Sequence, residues 1–272
     1  MTEALGRTQI LRDAMDPVRA AALHATLGLD GPPPGHLAIL PPFFHQAYFW
    51  DPRPPAELGC DGHPRLGAFL PDLGLPRRMW AGGELAFFGP LRAGIPAERT
   101  TTIEGITRKQ GRTGPLAFVT LRHDIVQAGV LRVSERQDIV YREDPRPDAP
   151  RPAPPPAPET AEDETEAHFP PTLLFRYSAL TFEGHRIHYD RDYATGTEGY
   201  GGLVVHGPLL AQLLMLKATE RSPLRRFAFR ARSALIDHET ATLCRTGDRL
   251  WVRGPDGRLC MSAEVEHGQD RF

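Results

Sequence analysis

The stretch Thr181–Pro208, TFEGHRIHYDRDYATGTEGYGGLVVHGP, places an acid, three histidines and several glycines directly before the apolar run LLAQLLMLKA. Glu183 and His188 stand five residues apart in what reads as a loop. A carboxylate and an imidazole on one loop can divide acid–base work, one removing a proton while the other positions or protonates. Spacing alone does not separate this from a loop histidine that merely caps a neighbouring strand. His206-Gly207-Pro208 opens the apolar run and reads as a helix start. There the first backbone N–H groups have no partner and point outward at the positive end of the dipole, fit to stabilise an oxyanion. Glycine lets a ligand approach the backbone, and proline is harmless in the first turn. The plainer reading makes Gly207 a permissive turn residue and His206 a cap.

Outward from this stretch, the pattern predicts a short strand over Leu173–Thr181, a buried helix over His206–Glu220, and strands at Arg226–Leu235, Thr240–Arg245, Arg249–Arg253 and Gly257–Glu266. Gly247-Asp248 and Pro255-Asp256-Gly257 supply the turns. Upstream the plan recurs. Thr8–Leu27 has the spacing of an amphipathic helix, with Pro17 marking a break or fresh start within it. Pro41 and Pro42 suit the first turn of a buried helix through Phe43, Phe44, Ala47 and Tyr48. Asp51–Arg77 reads as a long loop, a place where function often sits. Strands are expected at Met79–Phe88, Pro96–Lys109, Pro115–Val126 and Gly129–Arg142. Between the two halves, DPRPDAPRPAPPPAP favours extended polyproline II, and the acidic run Glu159–Glu166 extends it as a solvated tail. The expected organisation is therefore residues 1–143, a linker over 144–168, and residues 169–272, in an α+β arrangement.

The chain has 272 residues, 40% of them hydrophobic, enough for one large core or two modest ones. A formal net charge of -2 gives no global basic field, which argues against nucleic acid as a partner. The 30 arginines against 2 lysines favour forked donors for phosphates or carboxylates, a bias that a GC-rich genome also produces. Cys60, Cys244 and Cys260 are far apart, with no metal-type pairing, which fits a reducing compartment. No apolar run approaches the roughly 20 residues of a membrane span, and the N-terminus lacks the pattern of a signal peptide. A soluble, cytoplasmic protein with no membrane partner is expected.

The segments FRYSALTFEGHRIHYDRDYA and GLVVHGPLLAQLL resemble the hydratase-2 motif of the MaoC-like hot-dog enzymes, in the branch of mesaconyl-C4-CoA hydratase, itaconyl-CoA hydratase and 3-hydroxyacyl-thioester dehydratase. RRMWAGGELAFFGPLRAG, KQGRTGPLAFVTLRHDI and QDIVYRE are similar to the first hot-dog of that branch. The resemblance implies a double hot-dog, two long helices each wrapped by an antiparallel sheet, with a non-catalytic first half and a catalytic second half. By position, His188 matches the motif histidine, Gly207 the oxyanion-hole glycine, and Glu183 stands where most relatives have Asp. The usual Asn-Pro before the histidine is here His185-Arg186. The implied reaction is reversible addition of water to an α,β-unsaturated acyl thioester, with His188 as main base and Glu183 as its partner or the α-carbon proton donor. No metal and no redox cofactor is implied, and coenzyme A enters only as part of the substrate.

A coenzyme A handle needs cations. Arg230 and Arg232, on one face of an expected strand, and Arg225 and Arg226 beside them, form one local patch. An arginine-rich edge strand that resists aggregation accounts for them equally well. Arg186 is a candidate for a substrate carboxylate of a C4 or C5 diacid thioester, and His206 a supporting contact. Trp80, in Arg77–Gly83, reads first as a core anchor. The alternatives carried forward are a hot-dog thioesterase, whose acid would sit on the helix where Gln212 offers only an amide, and a non-catalytic acyl-thioester-binding protein. Pairing into a homodimer is left open.

Overall fold

The apolar run after His206 forms one helix, Gly207–Thr219, whose Leu209, Leu210, Ala211, Leu214, Met215 and Ala218 are all buried. A helix apolar on every side has to be enclosed, and each large side chain so buried contributes about 1.5–3 kcal/mol. The computed structural model describes residues 4–111, 114–143 and 153–268. In chain order its elements are β1 (Thr8–Asp13), α1 (Pro17–Leu27), β2 (Arg77–Phe87), β3 (Ala97–Gly111), β4 (Gly114–Gln127), β5 (Val130–Arg142), β6 (Asp163–Ala167), α2 (Pro171–Thr181), α3 (Gly207–Thr219), β7 (Leu224–Ala231), β8 (Ala241–Thr246), β9 (Arg249–Arg253) and β10 (Leu259–His267). α3 packs on β7, β9 and β10.

All ten strands join one sheet in the order β1-β3-β4-β5-β2-β7-β10-β9-β8-β6. Numbered within its own half, each set of five runs 1-3-4-5-2 from the outer edge inward. The halves meet at their equivalent strands, β2 and β7, which pair antiparallel with Gly83 opposite Phe229 and Leu85 opposite Phe227. This is a double hot-dog of the α+β class. At the seam the glycines matter: a Cβ on Gly82 would lie 2.5 Å from the Phe229 carbonyl oxygen. The main apolar core runs through both halves, from Phe43 and Leu85 to Phe227 and Leu214, and a smaller one around Ile103, Val119 and Tyr141 lies within the first half.

Several elements differ from expectation. Thr8–Leu27 is a strand followed by a helix, because Asp16 caps a new start at Pro17, accepting from the Val18 N–H at 2.9 Å, while β1 pairs with β3. Leu173–Thr181, expected as a strand, belongs to helix α2. Pro171 occupies its first turn, and Leu174, Tyr177 and Ser178 recur at helical spacing on the buried side. The helix expected through Phe43–Tyr48 is a single 3-10 turn, Phe44–Ala47, so the first half has no counterpart of α3. The acidic tail supplies β6, whose Asp163 and Thr165 both accept from Lys217 of α3, at 2.7 and 2.8 Å. Residues 144–152 of the linker lie outside the described residues. Pro155 accepts from the Leu259 N–H at 2.8 Å, so the prolines that follow lie along the second half. Among the described residues no helix is long and apolar enough to cross a membrane.

Candidate active site

Helix α2 ends in a left-handed turn, with Phe182 at φ +53° and the Glu183 N–H bonded to the Ser178 carbonyl at 2.8 Å. That turn sends Glu183 away from the helix axis. The chain then makes a 3-10 turn, Arg186–His188, and Val204 fixes it from both sides. The Val204 N–H donates to the Ile187 carbonyl at 2.9 Å, and the Val204 carbonyl accepts from His188 Nδ1 at 2.7 Å. With Nδ1 as the donor, Nε2 of His188 carries the lone pair. Burial pulls the imidazole down to about 4, only partly offset by the Val204 bond and the Glu183 charge, so His188 is neutral at physiological pH.

His206 stacks on His188 with ring centroids 3.7 Å apart, and its Nε2 meets Ser178 Oγ at 2.7 Å. Burial holds His206 far below the ordinary imidazole range, which makes it a neutral backing plate. One residue on, α3 begins. A Cβ built on Gly207 would meet no atom within 4 Å, so the helix N-terminus opens onto free space. His188, Glu183, His206 and Gly207 all line one cleft of about 1380 Å³. Both halves contribute walls, Trp80, His123 and Gln137 from the first and Tyr177, Leu235 and Met261 from the second. The Tyr177 hydroxyl is buried there with no hydrogen-bond partner among the described residues.

Of the arginines expected at the site, Arg232 lines the cleft at its exposed rim, with its Nε donating to Ser262 Oγ at 3.2 Å, and Arg53, Arg65, Arg77, Arg78, Arg99 and Arg142 of the first half line it as well. Arg186 is not among the lining side chains. It donates to Asp190 at 2.7 Å and to the Cys60 carbonyl at 3.0 Å, and lies over the Tyr193 ring. Arg230 is exposed outside the cleft.

Sequence reasoning marked the long loop after Asp51 as a place for function but named none of the residues it brings to the site. Gly62 and Gly184 touch backbone to backbone, and a Cβ on Gly62, at φ +89°, would lie 1.9 Å from the Gly184 oxygen. The Arg186 N–H donates to the Asp61 carbonyl at 2.9 Å, and Trp50 stacks on Phe182 while its Nε1 donates to the Leu180 carbonyl. So docked, the loop places His63 Nε2 3.1 Å from Glu183 Oε1, with His63 Nδ1 2.9 Å from Asp61 Oδ2. Burial opposes the charge on Glu183, yet His63 and the other imidazoles outweigh it and hold the carboxyl well below its usual range. His185, beside His63 at 4.4 Å between rings, is pushed down to about 3 by burial and the neighbouring His63 and His188. Carboxylates take both nitrogens of His63, Asp61 at Nδ1 and Glu183 at Nε2, and donor atoms of Asp61, His63 and His185 all lie within 4.8 Å of one another.

Fold and site together define a double hot-dog protein whose cleft sets a carboxylate and a neutral imidazole beside an open helix N-terminus. The chain belongs to the hydroxyacyl-thioester dehydratase type 2 family, whose model matches residues 43–237. It is 47% identical over 271 residues to mesaconyl-C(4)-CoA hydratase of Chloroflexus aurantiacus, covering 97% of this chain and 96% of that one. Among solved structures, HtdX of Mycobacterium tuberculosis superposes with a TM-score of 0.69 at 18% identity, covering 96% of this chain and 100% of that one. A conserved protein of the same organism, described as having a double hotdog fold, superposes at 0.59 with 14% identity, covering 96% and 95%. These two share the fold.

Proposed function

We propose that this chain adds water reversibly across the double bond of a short or dicarboxylic enoyl-CoA, with mesaconyl-C4-CoA, the compound in its relative's name, as the leading substrate. The observation that carries this reading is the fixed tautomer of His188, a neutral base whose Nε2 shares a cleft with an anionic carboxylate and an open helix N-terminus. In the hydration direction Glu183 and His188 hold the water, and His188 Nε2 takes its proton as oxygen bonds to the β-carbon. The π electrons move onto the thioester oxygen, where the Gly207 N–H receives the developing charge. The enolate then collapses and His188 returns the proton to the α-carbon. Glu183, held ionised, orients the water and balances the imidazolium, in place of serving as the proton donor. Addition of water is redox-neutral, so these steps call for no electron acceptor. Arg232 at the rim is the cation suited to a coenzyme A phosphate.

The test is direct. Crotonyl-CoA and mesaconyl-CoA are each supplied while enoyl absorbance and free thiol are followed separately. Loss of absorbance without thiol is the expected result, whereas thiol release would replace this reading with a thioesterase. The geometry weighs against the latter, since α3 carries no carboxylate at the site and Gln212 gives its amide to the Pro42 carbonyl at 2.7 Å. No turnover of either thioester together with tight binding would favour an acyl-thioester-binding protein. A cytoplasmic location and pairing into a homodimer belong to the same reading, the latter checked by sedimentation.

A further inference from the structure

The first half sends one ionisable group into direct contact with the proposed catalytic acid, and the reaction as written above has no use for it. His63 stands between two carboxylates, its Nδ1 on Asp61 and its Nε2 on Glu183. We propose that His63, as an imidazolium bridging Asp61 and Glu183, is the positioning residue that keeps Glu183 ionised and aimed at the water site, so that turnover requires a protonated His63. The inference rests on the hydratase reading.

Three observations support it independently of one another. The contact is built: the Gly62–Gly184 approach and the Arg186 bonds to Cys60 and Asp61 fix the loop against the catalytic turn. The length of the acid fits, because a glutamate extends one methylene further than an aspartate toward a partner on another element. The charges also balance. Facing His63 are Asp61 on its own loop, Glu183, His185 and His188 on the catalytic turn, and Arg78 on β2. Burial and Arg78 oppose a proton on His63, but the two carboxylates outweigh them and raise its pKa above the ordinary value. If His63 loses that proton, an uncompensated carboxylate is left beside the enolate that forms during the reaction, and like charge opposes it.

The sign follows from the raised pKa. His63 is protonated below it, so activity holds on the acid side of that value and falls as pH rises through it. The experiment is a pH–rate profile on the full chain. His63→Gln should lower kcat by about 100-fold, a typical acid–base contribution, with KM little changed, and should remove the alkaline limb. Asp61→Asn, nearly isosteric and not touching Glu183, should move that limb to lower pH. An alkaline limb unmoved in Asp61→Asn would overturn the proposal even if His63→Gln failed to fold. NMR titration of the His63 ring needs no turnover: its pKa should drop in Glu183→Gln, and an unchanged value would sink the ion pair. If the protein hydrates no thioester but this titration behaves as expected, the hydratase reading fails while the ion pair stands.

Discussion

His188 owes its readiness to a single backbone bond. Because the Val204 carbonyl takes Nδ1 and burial brings the ring down to about 4, the proposed base is deprotonated across the neutral range. Activity should therefore fall on the acid side only as pH drops toward about 4, well below the ordinary imidazole value, and a kcat profile breaking near 6.5 would show that another group is the base. Replacing His188 by Ala should lower kcat by about 10²–10⁴-fold, measured on the thioester that the wild type hydrates. Gly207→Ala poses a different test. Its methyl meets nothing in the protein and projects into the cleft, so thermal stability should hold while kcat/KM falls. Local pattern brought these positions into view, a histidine five residues after an acid and a glycine opening an apolar run, but only the resemblance to the hydratase-2 motif singled them out, and the structure sets them in one cleft. His63 was not, since its partner lies 120 residues on and its own segment, CDGHP, looks like any turn-rich loop.

At the scale of elements, the misread segment is instructive. LLFRYSALT carries apolar side chains at alternating positions as well as at helical spacing, and periodicity over nine residues does not choose between them. The proline pair ahead of it decides in favour of α2, whose end then aims Glu183. Likewise Ile10 and Leu11 fit a helix, yet pairing with β3 claims them. The fold of the second half was largely readable because α3 and its strands are bounded by Gly and Pro turns. The docked loop was not, because its cohesion comes from two glycines that meet only in three dimensions. Gly62→Ala tests that contact. A Cβ at a positive φ, pressed on the Gly184 oxygen, should cost about 1–3 kcal/mol in backbone strain alone and lower kcat, with far-UV circular dichroism unchanged. Full activity in that variant would mean that the loop is dispensable.

For the whole molecule, the decisive feature is the repeated strand order joined at β2 and β7. Leu85, Phe227 and Phe229 bury the seam, and Arg226 spans it, donating to Glu84 at 2.6 Å and to Glu266 at 3.2 Å. Both ends of the Glu84 pair are about a third exposed, so a double-mutant cycle should return a coupling of no more than about 1 kcal/mol, screened by salt. The shared core, by contrast, predicts one cooperative unfolding transition for both halves in urea, and two separated transitions would refute that. Internal repetition was visible in the sequence as a recurring plan; the identical strand order was not, because it depends on pairings between strands far apart in the chain, such as Thr8 with Thr102 and Asp163 with Arg245. That same seam has a consequence for synthesis. While the ribosome is still making the second half, β2 has β5 on one side and nothing on the other, an open strand edge waiting some 140 residues for β7. Until then the nascent first half is a template for wrong partners, and slowing translation after Arg142 should raise aggregation of the newly made chain.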